Sequence, residues 1–290
     1  MLKKIVAVLL SSFTAAALAV PLGSQSVLVV EDGTGKVLLE KNSNVQVPIA
    51  SLTKLMTAMV VLDSKPDMDA PISIDKTDVD MLKHSASRVP VGAKIARRDV
   101  LQLALMSSDN RAAASLARTY PGGPAAFKLA VNAKIKALGL TQTVIEEPTG
   151  LSPNNRSTAT DLVKMATAAS AYPDIRRITT DTKDVITIKG RQVEYHNTNR
   201  LVGAKGWDVG LSKTGYTEEA GRCLIMRFKS AGKHATLVLL NAKANSARLM
   251  DAFNIRRFIA GPAGEPKVMK ASVTRHKKAA KSAKRHRRAT

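Results

Sequence analysis

Aromatic residues make up only 3% of this 290-residue chain, and its single cysteine, Cys223, has no partner. With 44% of the residues nonetheless hydrophobic, the core must be built from aliphatic side chains and alanine. The lone cysteine excludes an intrachain disulfide framework, and its apolar surroundings make it a buried strand residue rather than a reactive thiol. The five histidines are scattered without metal-ligand spacing. There is no Gly-x-Ser-x-Gly elbow. The stretch from Gly210 to Gly215 resembles a phosphate-binding loop only as far as Tyr216, where lysine would be required. No metal or other cofactor is expected. Acidic residues are scarce as well, 23 against 45 basic ones, giving a formal charge of +22.

A charge of this sign would suggest nucleic acid in an intracellular protein, but the N-terminus points elsewhere. Lys3 and Lys4 precede a short apolar run from Ile5, and small residues end in Ala17-Leu18-Ala19. Residues 1–19 therefore read as a secretory signal, cleaved before Val20, that delivers the protein to the periplasm. The expected partners are then anionic envelope material and not nucleic acid. At the other end, residues 263–290 form a basic tail. From Lys267 it interleaves Arg275, Lys277, Lys278, Arg285, Arg287 and Arg288 with alanine and serine and holds no acid. It cannot bury enough apolar surface to offset its ordering entropy, so disorder is expected there, with electrostatic tethering to an anionic membrane or wall surface as its possible use. Between the two lies one expected domain, residues 20–262.

Within that domain, β-prone runs at 26–31 and 36–40 flank Asp32-Gly33-Thr34-Gly35, a hairpin pattern. Residues 67–92 are polar and lack periodicity, so they read as loop. Helical periodicity resumes at Arg98, is interrupted by Ser107-Ser108-Asp109-Asn110, and resumes through Ala117. Further helices are expected up to Leu138 and from Ser157 or Thr158, on either side of a Pro/Gly/Asn-rich loop, Glu146 to Asn155. The last third is β-rich, with strands expected at 185–189, 193–197, 209–213, 223–228 and 236–241 and a helix over 245–259.

The most informative stretch is Val47-Pro48-Ile49-Ala50-Ser51-Leu52-Thr53-Lys54, where an extended lead-in enters an apolar periodic run. Residues three apart share a helix face, so Ser51 and Lys54 can place hydroxyl and amine in hydrogen-bond reach. The unpaired N–H groups and positive dipole end of the first turn favour an alkoxide there. Lysine can act as base only if its pKa, ordinarily ~10.4, is lowered by burial or a second cation. Two further Ser-x-x-Lys matches, Ser73 to Lys76 and Ser230 to Lys233, open no amphipathic helix and read as solvated positions. Ser108 and Asn110 could pass a proton and hydrogen-bond a peptide at the junction of two helices. Lys213 in Lys213-Thr214-Gly215 supplies a second cation on a strand, where Gly215, lacking a Cβ, lets a substrate peptide lie alongside.

Taken together and in order, Ser51-x-x-Lys54, Ser108-Asp109-Asn110 and Lys213-Thr214-Gly215 resemble the motif set of the serine DD-peptidase and β-lactamase superfamily. Pro148-Thr149-Gly150-Leu151, Asn197-Thr198-Asn199-Arg200-Leu201 and Lys213-Thr214-Gly215-Tyr216-Thr217 narrow the similarity to the low-molecular-mass penicillin-binding proteins, and among these to the D-alanyl-D-alanine endopeptidases. The resemblance implies an α/β (α+β) transpeptidase-like fold. Its five-stranded antiparallel sheet would come from the N-terminal hairpin and the C-terminal β region, with a mostly helical part built from about residue 55 to 170. It further implies that Ser51 forms the acyl-enzyme, Lys54 takes its proton and Ser108 relays a proton to the leaving amine. Asn110 would bond the substrate amide, while Lys213 and Thr214 would hold its carboxylate end, with Arg200 as a further carboxylate contact. Lys213 would help keep Lys54 neutral, and the N–H groups of Ser51 and Tyr216 would form an oxyanion hole. Peptidoglycan peptides are the implied substrates and β-lactams the implied acylating inhibitors.

Three other readings compete. A carboxypeptidase shares the site, although the second β domain and amphipathic membrane helix of that branch are not visible here. A class A β-lactamase needs a carboxylate to activate the deacylating water; Glu146 and Glu147 stand in a comparable interval, but Gly150-Leu151 follow Glu147 where that family has leucine and asparagine. A basic, non-enzymatic binder would leave the ordered motifs as coincidence.

Overall fold

Two of the three long C-terminal strands carry continuous apolar runs, Cys223-Leu224-Ile225-Met226 and Leu237-Val238-Leu239-Leu240, rather than alternation, the pattern of a strand buried on both faces. The computed structural model describes residues 20–261; the expected signal 1–19 lies outside the described residues, as does the tail 263–290. Strands β1 (Ser24–Glu31) and β2 (Val37–Lys41) form the expected N-terminal hairpin. The antiparallel five-stranded sheet runs β2-β1-β11-β10-β9, with β9 Asp208–Thr217, β10 Gly221–Ser230 and β11 Lys233–Ala242. Successive side chains point to opposite faces. Val27, Val29, Leu224, Met226, Leu237 and Leu239 face one core, packed with Ala252 and Ile255 of helix α7 (Asn245–Ala260). Leu28, Cys223, Ile225, Val238 and Leu240 face the other.

That second core holds the helical part: α1 (Lys54–Asp63), α2 (Arg97–Leu105), α3 (Asn110–Arg118), α4 (Gly123–Ala137), α5 (Ala159–Ala169) and α6 (Pro173–Thr180). Helix α1 is buried among helices α2 to α6, with Leu55, Met56 and Met59 at 0% exposure. Helix α7 is pinned across the sheet to the start of β1, where the Asp251 carboxylate accepts from Gly23 N, Ser24 N and Ser24 Oγ at 2.6–2.8 Å.

The α+β architecture and its five-stranded sheet agree with the sequence reading, with corrections of detail. Only three of the five expected C-terminal strands join the sheet. The other two, β7 (Lys183–Ile188) and β8 (Arg191–His196), pair with each other as a separate hairpin. Helix α6 was not expected, although Pro173 at its first turn is a helix-start signal. The polar stretch 67–92 is mostly loop, but β4 (Pro71–Ser73) pairs with β5 (Lys94–Ala96), a ladder too short to print a sequence period. A third two-residue ladder joins β3 (Val47–Pro48) to β6 (Arg156–Ser157). Of the two decoy serines, Ser73 is exposed, whereas Ser230 is buried with Oγ 3.4 Å from Arg256 O, because α7 covers the end of β10.

Candidate active site

Residues Ala50–Thr53 form a 3-10 turn that runs into α1. In that tighter helix positions i and i+3 eclipse, and Lys54 Nζ lies 2.8 Å from Ser51 Oγ. The turn is strained: Ala50 has φ +47°, a region that side chains with a Cβ rarely occupy. Two glycines make room for it. A Cβ on Gly150 (φ +87°) would lie 1.9 Å from Ala50 O, and one on Gly215 would lie 3.0 Å from Ile49 O and 3.2 Å from Ser51 N. The Pro148-Thr149-Gly150 loop and strand β9 thus press on the serine's backbone from two sides.

Lys54 is 1% exposed and makes three contacts with Nζ: Ser51 Oγ, Asn110 Oδ1 at 2.6 Å and Thr149 O at 2.7 Å. Burial lowers its pKa to about 8, against the opposing pull of Glu147, Asp109 and Asp80. Lys213, also 1% exposed, reaches Ser108 Oγ at 2.8 Å and Thr214 O at 3.0 Å. Its pKa is held well below the usual lysine range by burial, and then by repulsion from Lys54 and Arg248. Burial, one of the two causes the sequence reading named, contributes most to lowering Lys54, and the two lysines also repel one another.

Asp109 caps α3 by accepting from Ala112 N, which fixes the junction carrying Ser108 and Asn110. Ser108 has φ +61°. Two non-glycine residues in the left-handed region, Ala50 and Ser108, thus flank the lysine pair; such conformations cluster at functional sites. Thr214 Oγ1 is 2.6 Å from Thr198 Oγ1, and the Thr198 amide donates to Met106 O, tying the 197–201 segment to the same place. Tyr216 follows Gly215 on β9, its ring half exposed under the Arg222 guanidinium at 3.4 Å. The structure thus brings together Ser51, Lys54, Ser108, Asn110, Lys213, Thr214, Gly215 and Tyr216. Arg200 stands exposed on the turn after Asn199, and among the described residues no hydrogen bond or ion pair joins it to the others.

Ser85, Asp80, Lys83 and the structural role of Asn155 were not identified from the sequence. Ser85 accepts a hydrogen bond from Asn110 Nδ2 at 2.8 Å, and Asp80 holds its loop through the amides of Leu82, Lys83 and Ser85. Lys83 of that loop pairs with Glu219 on the β9–β10 turn. Fully buried Asn155 bonds Thr53 Oγ1 and both ends of Glu147. Glu147 accepts from Thr149 N, Thr149 Oγ1, Gly150 N, Ser152 N and Asn155 Nδ2. A carboxylate has about four lone-pair sites, so this one is saturated by the loop it organises and is not poised to activate a water. Cys223 is buried, and burial pushes its thiol up to about 11, in keeping with an inert strand residue.

A family model described as D-alanyl-D-alanine carboxypeptidase, peptidase S11, matches residues 12–244. The D-alanyl-D-alanine endopeptidase of Pseudomonas aeruginosa is 46% identical over 240 residues, 82% of this chain and 77% of that protein. That of Escherichia coli is 43% identical over the same shares. Among solved structures, the Streptomyces K15 DD-transpeptidase superposes with a TM-score of 0.76 at 27% identity, covering 82% of this chain and 97% of that one. The family match spans most of the chain, and the Ser51–Lys54 and Lys213–Ser108 pairs lie side by side, joined through Asn110 and Gly215. The chain therefore belongs to the peptidase S11 family and is a serine DD-peptidase.

Proposed function

We propose that the protein is an exported DD-endopeptidase that opens peptide cross-links of peptidoglycan through an acyl-enzyme on Ser51. The chemistry is carried by the threefold contact of Lys54 Nζ. A neutral amine has two N–H bonds and one lone pair. Asn110 Oδ1 and Thr149 O can only accept, so they take both N–H bonds. The lone pair is left for the Ser51 hydroxyl, 2.8 Å away.

In this reading Ser51 Oγ attacks the D-alanyl carbonyl as its proton passes to Lys54. The N–H groups of Ser51 and Tyr216 hold the oxyanion, each such donor being worth about 2.7–4 kcal/mol of barrier. As the C–N bond breaks, Ser108 relays to the leaving amine the proton that Lys54 took from Ser51, which leaves Lys54 neutral again, and Lys213, 2.8 Å from Ser108 Oγ, supports the transfer. Lys213 and Thr214 also receive the carboxylate of the leaving residue, with Arg200 as an outer contact. Water then attacks the ester as one of its protons passes to Lys54, and Lys54 returns that proton to Ser51 Oγ as the ester bond breaks, so both side chains regain their starting states. Asn110 bonds the substrate amide once the peptide displaces its contact with Ser85. A β-lactam enters the first half of this cycle and stays as the ester.

The choice of endopeptidase rests on relatives: those at 46% and 43% identity carry that name, and names ending in carboxypeptidase begin at 31%. Export to the periplasm is supported by the composition of residues 1–19, and attachment to an anionic surface by the charge of 267–290. Muramidase-digested sacculi treated with the protein should show cross-linked dimers converted to monomers. Pentapeptides trimmed to tetrapeptides with dimers left intact would reverse the choice to carboxypeptidase. Rapid turnover of nitrocefin would make it a β-lactamase.

A further inference from the structure

Beside Ser108 lies a pocket of about 290 Å³ walled by Arg88, Ser107, Ser108, Asp109, Tyr195 and His196. Strand β8 supplies the last two, and the loop that carries Ser85 supplies Arg88. The Arg88 guanidinium packs over the Tyr195 ring, 4.0 Å from its centroid, and among the described residues no hydrogen bond or ion pair engages it. The Tyr195 side chain is 2% exposed, yet its hydroxyl has no hydrogen-bond partner among the described residues. An unpartnered buried hydroxyl is uncommon and calls for an explanation.

The other polar groups of the wall are already engaged. Ser107 Oγ donates to Leu103 O. Asp109, the one acid there, accepts from Ala112 N through one oxygen and from Ser87 Oγ through the other. His196 is exposed and lies 3.1 Å from Glu194 Oε1. Arg88, exposed at the pocket, and the Tyr195 hydroxyl therefore remain without a protein acceptor among the described residues, and a planar guanidinium favours carboxylate held through two parallel N–H bonds. An aromatic face beneath it keeps the fork oriented.

We infer that this pocket receives the leaving strand of a cross-linked peptide and that Arg88, seated on Tyr195, binds a carboxylate of that strand. The inference rests on the proposed role of Ser108, whose hydroxyl meets the departing amine at the pocket's edge. A carboxypeptidase releases a single D-alanine, whose carboxylate is met by Lys213 and Thr214. An endopeptidase releases a whole second peptide, which needs room and recognition beyond that point. Arg88 and Tyr195 are then specificity-determining residues that leave the chemistry at Ser51 untouched.

The test compares three substrates on the full chain: a cross-linked muropeptide dimer, a small N-acyl peptide ending in D-alanyl-D-alanine, and benzylpenicillin as a check that the site is folded. In Arg88→Gln the ratio of kcat/KM for dimer to that for small peptide should fall tenfold or more, mostly through KM. Tyr195→Leu, which removes the ring beneath the guanidinium, should lower it severalfold. Amidating the free carboxylates of the dimer should cost the wild type a similar factor and cost Arg88→Gln nothing further. An unchanged ratio in both variants would overturn the inference while leaving the endopeptidase reading intact, and so would an equal loss on all three substrates. A wild-type protein that is acylated by penicillin but leaves the dimer uncut would sink the endopeptidase reading, and this inference with it.

Discussion

Gly150 and Ala50 touch backbone to backbone, so closely that a Cβ on Gly150 would stand 1.9 Å from the Ala50 carbonyl oxygen and 2.8 Å from Ser51 N. The carbonyl of the residue before Gly150, Thr149, is also a partner of Lys54 Nζ. The loop therefore positions the base and the nucleophile's backbone at once.

Gly150→Ala should accordingly disable the site without touching a reacting atom. Its φ of +87° alone costs a residue with a Cβ about 1–3 kcal/mol, and the contact with Ala50 O forces the loop outward. We expect penicillin acylation to fall at least tenfold and Tm to drop. Gly215→Ala meets nothing closer than 3.0 Å and should be milder in both measurements. Equal effects from the two substitutions would mean that the Gly150 contact is not what holds the loop.

Lys54 supplies a second test. Lys54→Arg keeps a cation but cannot deprotonate, so acylation should fall as far as in Lys54→Ala, with the fold retained by circular dichroism. Near-normal labelling of Ser51 in the arginine variant would remove Lys54 as the base.

The same residue sets a pH dependence. With its pKa lowered to about 8, the neutral base grows roughly tenfold per pH unit below that value and levels off above it. The acylation rate constant at subsaturating penicillin should therefore rise with pH to a midpoint near 8. For stability, the unfolded chain holds this proton up to ~10.4 while the folded protein releases it near 8, so folding is penalised below about pH 8 and the penalty is relieved as pH rises through that window. The full effect is on the order of 3 kcal/mol at ~1.4 kcal/mol per unit. Urea midpoints at pH 7 and 9.5 should differ more for the wild type than for Lys54→Ala.

How much of this site could be read from the chain alone follows from the range of each contact. Ser51 and Lys54 are three residues apart on one turn, so their pairing is written in local sequence, and Lys213-Thr214-Gly215 is contiguous, so its lysine, hydroxyl and bare backbone are local too. The Ser85–Asn110 bond instead joins residues 25 apart through a loop with no hydrophobic period, held by Asp80 accepting from backbone amides. Such a loop leaves no pattern to read. Asn155 was visible only as one of several polar residues in a Pro/Gly-rich stretch; its burial at 0% is a tertiary fact. The β4–β5 ladder is similarly too short to show alternation. Spacing can identify Lys213 as a second cation, but the complete burial that contributes most to lowering Lys54 is a tertiary fact.

Glu147 separates the peptidase from the β-lactamase reading by a final experiment. If its carboxylate organises the loop, Glu147→Gln turns an NH2 group toward donors such as Gly150 N, Ser152 N and Asn155 Nδ2, leaving buried donors unpaired at about 1–3 kcal/mol each. The loop carrying Thr149 O then loosens, so acylation by penicillin should slow and Tm should fall together. If Glu147 instead activated the deacylating water, the glutamine variant would acylate at the normal rate and accumulate a penicilloyl adduct that fails to turn over. Single-turnover labelling followed by mass spectrometry of the adduct over time distinguishes the two. Five hydrogen bonds onto one carboxylate favour the first outcome, since freeing an oxygen to accept a proton from water would require breaking the loop that places the base.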